Sequence, residues 1–502
     1  MTSILARTAH GAGWVLAWRM LTRLLGLGST LVLVRLLSPE DFGLVALAAA
    51  FALALDVCLS IGIEDQIVRA RDPTPALYHT AFTMNLLRCA LVAGLITLAA
   101  GPAAAFFADA RLHDVLLALA ASAALSGATN IGIADFRRHL SFDKEFQLQL
   151  LPRLLGISVT LGVAWGWHSH WALVLGILAN RAGIVAMSHL LHPYRPRLSL
   201  SAWRELIGIS VWAWLISLAA VVRDRADSMV VGRLLGPAPL GVYAVGVEVA
   251  VLPTTEMVDP ICRACMPGFA ATLRSGGDAA AGDAWLRIMA LMALLTLPAG
   301  TGASLVAGPL VALAFGPAWA EAAPVITILG LACTFTLLGN VSGALLNARA
   351  ALRAILGVTL VAAALRIVLL LALVPALGVT GAALAVGIAV VLEQLALVGC
   401  VLRLLRLRGI AVLRCIARPV LAAAAMALVL WQAGLGWAAP PPDAAGAARM
   451  LAGAIPMGVA VYAAALWLLW RGAGAPAGAE SDMLRMLGRF GLWRHRLAAR
   501  GG

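Results

Sequence analysis

Arg35-Leu36-Leu37-Ser38-Pro39-Glu40-Asp41-Phe42-Gly43 returns 198 residues later as Arg233-Leu234-Leu235-Gly236-Pro237-Ala238-Pro239-Leu240-Gly241, with five of nine positions identical and no gap. Pro and Gly have a physical task in such a stretch: they end one helix and turn the chain tightly into the next. Each copy sits at the junction of two long apolar runs. Reading outward for runs of about twenty apolar residues gives fourteen candidate membrane spans. They cover 13–34, 42–63, 82–107, 115–134, 151–167, 171–191, 206–231, 241–262, 287–307, 322–346, 355–374, 379–402, 413–434 and 449–470. The two copies are six spans apart, an even number, so they share one orientation. That spacing predicts an all-α polytopic fold of two parallel six-helix lobes related by an axis along the membrane normal, with a cleft between them. The expected divisions are an N-lobe over 1–204, a C-lobe over 205–410, two further spans over 411–474 and a basic tail over 475–502.

Composition agrees with this class. Of the 502 residues 62% are hydrophobic and 12% charged, against about half and a quarter in soluble proteins. The formal charge of +13 invites a nucleic-acid reading. Its basic residues are instead dispersed between apolar runs, the pattern of topology-setting charge, so nucleic acid is not an expected partner. Placing the N-terminus in the cytoplasm leaves only Arg35, Arg111, Arg233 and Arg449 in outer segments, while every inner segment carries arginine or Lys144. Both termini are then cytoplasmic. In the tail, Met483, Leu487, Phe490 and Leu497 recur at near-helical spacing among arginines, which fits either an amphipathic surface helix or a disordered basic tail. Cys262 and Cys265 form a lone CxxC with no second pair or nearby histidine, so no metal or redox site is expected.

Several spans carry arginine well inside: Arg19 and Arg23 in the first, Arg88 in the third, Arg181 in the sixth, Arg366 in the eleventh. A cation near the bilayer centre costs roughly 2.5–3.5 kcal/mol on insertion scales, so such residues face a partner or a wet cavity. Arg19 and Arg23 are one helical turn apart and share a face. In the competing reading Arg19 and Arg23 pair with Asp56 of the second span, and Arg366 pairs with Glu393. Arg223, Asp224, Arg225 and Asp227 read as an ion-paired structural cluster. Asp56, Glu248 and Glu393 are alternatively candidates for a coupling proton or sodium ion. There is no Walker loop, dinucleotide fingerprint or Ser/His/Asp constellation, so catalysis is not expected.

The architecture, the opening Leu33-Val34-Arg35-Leu36-Leu37-Ser38-Pro39-Glu40-Asp41-Phe42-Gly43-Leu44 and the later Arg225-Ala226-Asp227-Ser228-Met229-Val230-Val231-Gly232-Arg233-Leu234-Leu235-Gly236 together resemble the Wzx-type polysaccharide-transport flippases. These belong to the multidrug/oligosaccharidyl-lipid/polysaccharide (MOP) exporter superfamily, with its MATE-like fold. The resemblance implies transfer of undecaprenyl-diphosphate-linked oligosaccharide from the inner to the outer leaflet of a bacterial inner membrane, for capsule, exopolysaccharide or O-antigen synthesis. It also implies work alongside glycosyltransferases and a polymerase. A lipid II-type flippase and an ion-coupled multidrug antiporter share the architecture and remain open. For a diphosphate cargo, Arg19, Arg23, Arg88, Arg181 and Arg366 are the expected binding groups. Arginine's planar fork of donors matches phosphate oxygens, and a charged headgroup cannot enter hydrocarbon undressed.

Overall fold

The computed structural model describes residues 21–483, apart from 23, 61, 71–72, 140, 207–210, 439–440, 442, 477 and 482. Arg19, Arg23 and the tail from 484 onward lie outside the described residues. Those described are helical, with no strand among them, and divide into two compact units, Met1–Ala244 and Val245–Gly502.

The first unit begins with α1 (Leu24–Leu36), α2 (Pro39–Cys58), α3 (Ile63–Arg69) and α4 (Pro75–Phe107). It continues through α5 (Arg111–Gly127), α6 (Ala134–Arg138), α7 (Phe142–Trp167), α8 (Trp171–Leu191), α9 (Trp203–Leu206) and α10 (Val211–Leu235). The α1–α2 corner is a full capping box. The Ser38 hydroxyl accepts from Asp41 N at 3.2 Å, and Asp41 Oδ2 accepts from Ser38 N at 3.1 Å, satisfying two otherwise orphan donors. Asp41 also accepts from His170 N at 2.8 Å, pinning this corner to the α7–α8 turn. Helices α7 and α8 approach through small residues: a Cβ on Gly156 would meet Asn180 and one on Gly183 would meet Pro152. Close backbone approach of this kind replaces the hydrophobic drive that lipid removes.

The second unit takes over within α11 (Pro237–Leu305) and holds α12 (Ala307–Ala314), α13 (Ala322–Cys333), α14 (Thr336–Ala348), α15 (Leu352–Leu405), α16 (Gly409–Gln432) and α17 (Ala444–Gly472). Among the described residues, eight helices are long and apolar enough to cross a membrane. Two bent pairs, α5 with Ile131–Arg138 at 69° and α13 with α14 at 42°, raise this to ten. The 54-residue α15 contains two of the expected spans, divided only at Gly378, whose φ of +57° a side chain would resist. This is a multi-pass membrane protein.

One expectation needs correcting. The stretch 263–286, read as a loop between spans, stays helical to Gly277 (φ +66°, ψ −158°) and resumes at once, the helix running through Pro267 without a break. Arg349 pairs with Asp278 just beyond that hinge. The compact units themselves divide at Ala244/Val245. Helix α10 lies against α2, with Gly232 on Leu47, and so packs within the first unit.

Before the undescribed tail, residues 478–481 fold back on α16. Glu480, 8% exposed, meets Arg418 Nε at 3.2 Å, while Arg418 Nη1 is buried without a hydrogen bond. Removing one partner of a shielded pair leaves the other charge uncompensated. Glu480→Gln is expected to lower stability by about 2 kcal/mol, discounted for Arg418's partial exposure. An unchanged thermal midpoint in detergent would show that this docking contributes nothing.

Candidate functional site

Arg88 projects from α4, a position the apolar run alone makes costly. The fold answers with Asp56, near the end of α2: Arg88 Nη1 donates to Asp56 Oδ1 at 2.6 Å and to the Asp56 carbonyl at 3.4 Å, and Nη2 reaches Asn85 Oδ1 at 3.4 Å. Asn85 is three residues before Arg88, on the same helical face. Among the described residues, Asp56 is thus paired with Arg88.

Arg181 stands at the centre of α8, across a cavity of about 250 Å³ that Arg88 also lines. Among the described residues, no carboxylate lies within ion-pair distance of Arg181 and no hydrogen bond reaches its guanidinium. Asn85, Ser126, Thr129 and Gln149 supply further polar groups. Arg137 of α6 holds one wall, its Nε 3.3 Å from Glu145 and Nη1 3.7 Å from Glu64. The cavity therefore holds one cation neutralised by its own acid, one cation bridging two acids and one with no counter-charge. An anion entering it would find Arg181 ready and Arg88 available by exchange with Asp56. Sequence reasoning singled out Arg88, Arg181 and Asp56 but missed the Glu64–Arg137–Glu145 group, since α3 and α6 are short and look like ordinary connections.

The other expected residues fall elsewhere. Arg366 and Glu393 are both 7% exposed on α15, in the second unit, and both are engaged with partners. Glu393 also lines a cavity of about 510 Å³ with Arg403 and Gly357. Glu248 is exposed on α11. Within the 223–227 stretch, Arg223 clamps Asp224 with bonds of 2.8 and 3.0 Å, and Asp227, 6% exposed, accepts from Tyr243 Oη at 2.8 Å and from Ser228 N at 2.7 Å. Arg225 is half-buried on the same helix.

A family model described as polysaccharide biosynthesis protein matches residues 32–324, more than half of the chain. The chain belongs to the polysaccharide biosynthesis protein family. Within this family's wider circle it is similar to lipopolysaccharide biosynthesis protein WzxC of Escherichia coli (strain K12), 23% identical over 352 residues, covering 69% of this chain and 71% of that one. It is also similar to succinoglycan biosynthesis transport protein ExoT of Rhizobium meliloti (strain 1021), 25% identical over 321 residues and covering 60% and 61% of the two chains. Among solved structures, lipid II flippase MurJ in an inward closed conformation superposes with a TM-score of 0.74 at 12% identity, over 91% of this chain and 98% of that one. An inward-facing multidrug MATE transporter of the MOP superfamily gives 0.61 at 14%, over 77% and 94%. At these identities the structures speak for the fold alone, and that fold is the MATE-like one expected for the family.

Proposed function

We propose that this polysaccharide biosynthesis protein is a flippase that carries a lipid-linked oligosaccharide, joined through a diphosphate to a polyprenyl chain, from the cytoplasmic to the outer leaflet of the bacterial inner membrane. The observation that carries the reading is Arg181, a mid-span cation lining a polar cavity beside Arg88 with no acid of its own among the described residues. Such a group costs free energy in the empty protein and recovers it only when an anion arrives. The names of WzxC and ExoT, a lipopolysaccharide biosynthesis protein and a succinoglycan transport protein, point to the same cargo class.

The reading requires no bond making or breaking. Moving two negative charges outward across an inside-negative membrane is favourable by roughly 4–5 kcal/mol per 100 mV. The potential thus drives the loaded step, and the protein's work is to replace water around the diphosphate. Resetting the empty cationic cavity is the uphill step, and a proton or sodium ion at the buried Glu393 would serve it. Glycosyltransferases and a polymerase are the expected partners on either side of the step.

Proteoliposomes holding the purified protein and a polyprenyl-diphosphate-linked oligosaccharide test this directly. The fraction of sugar reachable by an impermeant lectin should rise only with protein present. A potassium diffusion potential that pulls negative charge toward the lectin should speed the rise, and the opposite potential should slow it. A rate indifferent to both signs would contradict the charged-cargo mechanism, and no protein-dependent rise would contradict flipping.

A further inference from the structure

One span of the first unit is broken beside the arginine cavity. Helix α5 ends at Gly127, the chain bends by 69°, and Ile131–Arg138 resumes the span. A break inside a span frees backbone groups that lipid cannot satisfy, so each needs a partner in the protein. Two consecutive residues of α8 supply them. His189 Nε2 lies 2.9 Å from the Ala128 carbonyl oxygen, and since a carbonyl only accepts, that nitrogen carries the hydrogen. The Ser188 hydroxyl accepts from Asn130 N at 3.0 Å while donating to the Val185 carbonyl at 2.7 Å. Ser188 and Asn130 are both fully buried. Asn130 completes the bend with its own side chain: Oδ1 accepts from Gly132 N at 2.9 Å, and Nδ2 donates to the Tyr194 carbonyl at 2.8 Å.

The same two elements face each other across the cavity. Arg181 and Ile184 line it from α8, and Ser126 and Thr129 line it from the broken span. Positions 181, 184 and 188 share one face of α8. The face that presents Arg181 is therefore the one that Ser188 ties to the bend, about two turns further on. The bonds at Ala128 and Asn130 flank Thr129 on both sides. Sliding or turning α8 would break them before it carried Arg181 far from Thr129.

Building on the flippase reading, we propose that Ser188, His189 and Asn130 are positioning residues, which fasten α8 to the break and hold Arg181 in register with Ser126 and Thr129 for the diphosphate. All three stand outside the cavity wall. They act through Arg181, whose planar fork grips phosphate oxygens only in a narrow range of orientations, and through the hydroxyls of Ser126 and Thr129. Loosening the clasp costs cargo affinity, because more arrangements of the empty cavity must be given up when the anion binds.

Inorganic pyrophosphate titrated into the full-length protein in detergent, followed by calorimetry below each variant's thermal midpoint, tests the clasp. Ser188→Ala and His189→Leu should each weaken binding about tenfold. His189→Gln keeps an N–H donor of similar reach and should bind as the parent does. Ser188→Cys, a weaker acceptor of similar size, should fold and show an intermediate affinity. In proteoliposomes the Ala and Leu variants should raise KM for a polyprenyl-diphosphate-linked oligosaccharide about tenfold and keep the maximal rate within about twofold. Mere loss of folded protein would do the opposite. Parental affinity in both Ser188→Ala and His189→Leu, or a lowered maximal rate at unchanged KM, overturns the proposal. So does a His189→Gln variant that binds as weakly as His189→Leu. A parent protein that binds no pyrophosphate instead removes the diphosphate reading of the cavity itself, and the clasp's role with it.

Discussion

Gly43→Ala and Gly241→Ala will each destabilise the first unit by at least about 3 kcal/mol, lowering its thermal midpoint by roughly 6–12 °C. The two glycines close the duplicated motif with which the chain announces its repeat, and the structure lays one copy on the other. A Cβ on Gly43 would overlap the Pro237 carbonyl oxygen and come 2.8 Å from Gly241 N. One on Gly241 would overlap the Pro39 carbonyl oxygen and come 2.9 Å from Gly43 N. The near-equality of these contacts shows a local two-fold relation between the corners. In both directions the obstacle is backbone carbonyl, which cannot swing aside as a side chain would. The double variant should cost little more than either single, because a methyl group on one corner already separates the pair. Thermal unfolding of the three variants in detergent decides the matter: normal midpoints in both singles would mean that the corners do not meet this way.

Arg181→Gln should reduce flipping about a hundredfold in proteoliposomes without lowering stability, because it deletes an uncompensated cation and leaves no orphaned acid behind. Arg88→Gln should behave differently, losing both transport and stability, since Asp56 is then stranded beside the cavity. Arg181→Lys keeps the charge but gives up the planar fork, and an intermediate loss of about tenfold is expected if two phosphate oxygens are gripped together. Flipping by Arg181→Gln at the parental rate, with normal insertion, would remove this residue from cargo binding. Comparing stability across the variants separates a binding role from a folding one.

The apolar runs were readable because a bilayer charges for polarity by depth, and depth follows position along the chain. The break at Gly378 falls between the expected spans 355–374 and 379–402, but the α13–α14 bend, inside the expected span 322–346, was not readable in the same way. A tight turn between spans and a break inside one span look alike when the flanking residues are equally apolar. The helix continuing to Gly277 was missed for the complementary reason. Hydropathy falls off beyond the membrane, and a polar helix then resembles a loop until a run such as Ser275-Gly276-Gly277 ends it.

Within the site, sequence alone established that Arg88 and Arg181 sit where an arginine needs a reason, and that Asp56 was available to one of the spans' cations. It established the family as well, since the repeated corner motif and the span count are properties of the linear chain. Tertiary structure alone decided that Asp56 pairs with Arg88, that Arg181 has no acid beside it among the described residues, and that Arg137 bridges Glu64 and Glu145 on one wall of their cavity. It also decided that α10 packs with the first six spans. Hydrophobic patterning fixes how deep each residue lies but leaves free the rotation and neighbours of each helix. Those follow from close contacts such as Gly43 on Gly241 and Gly183 on Pro152, which bring together residues far apart in sequence.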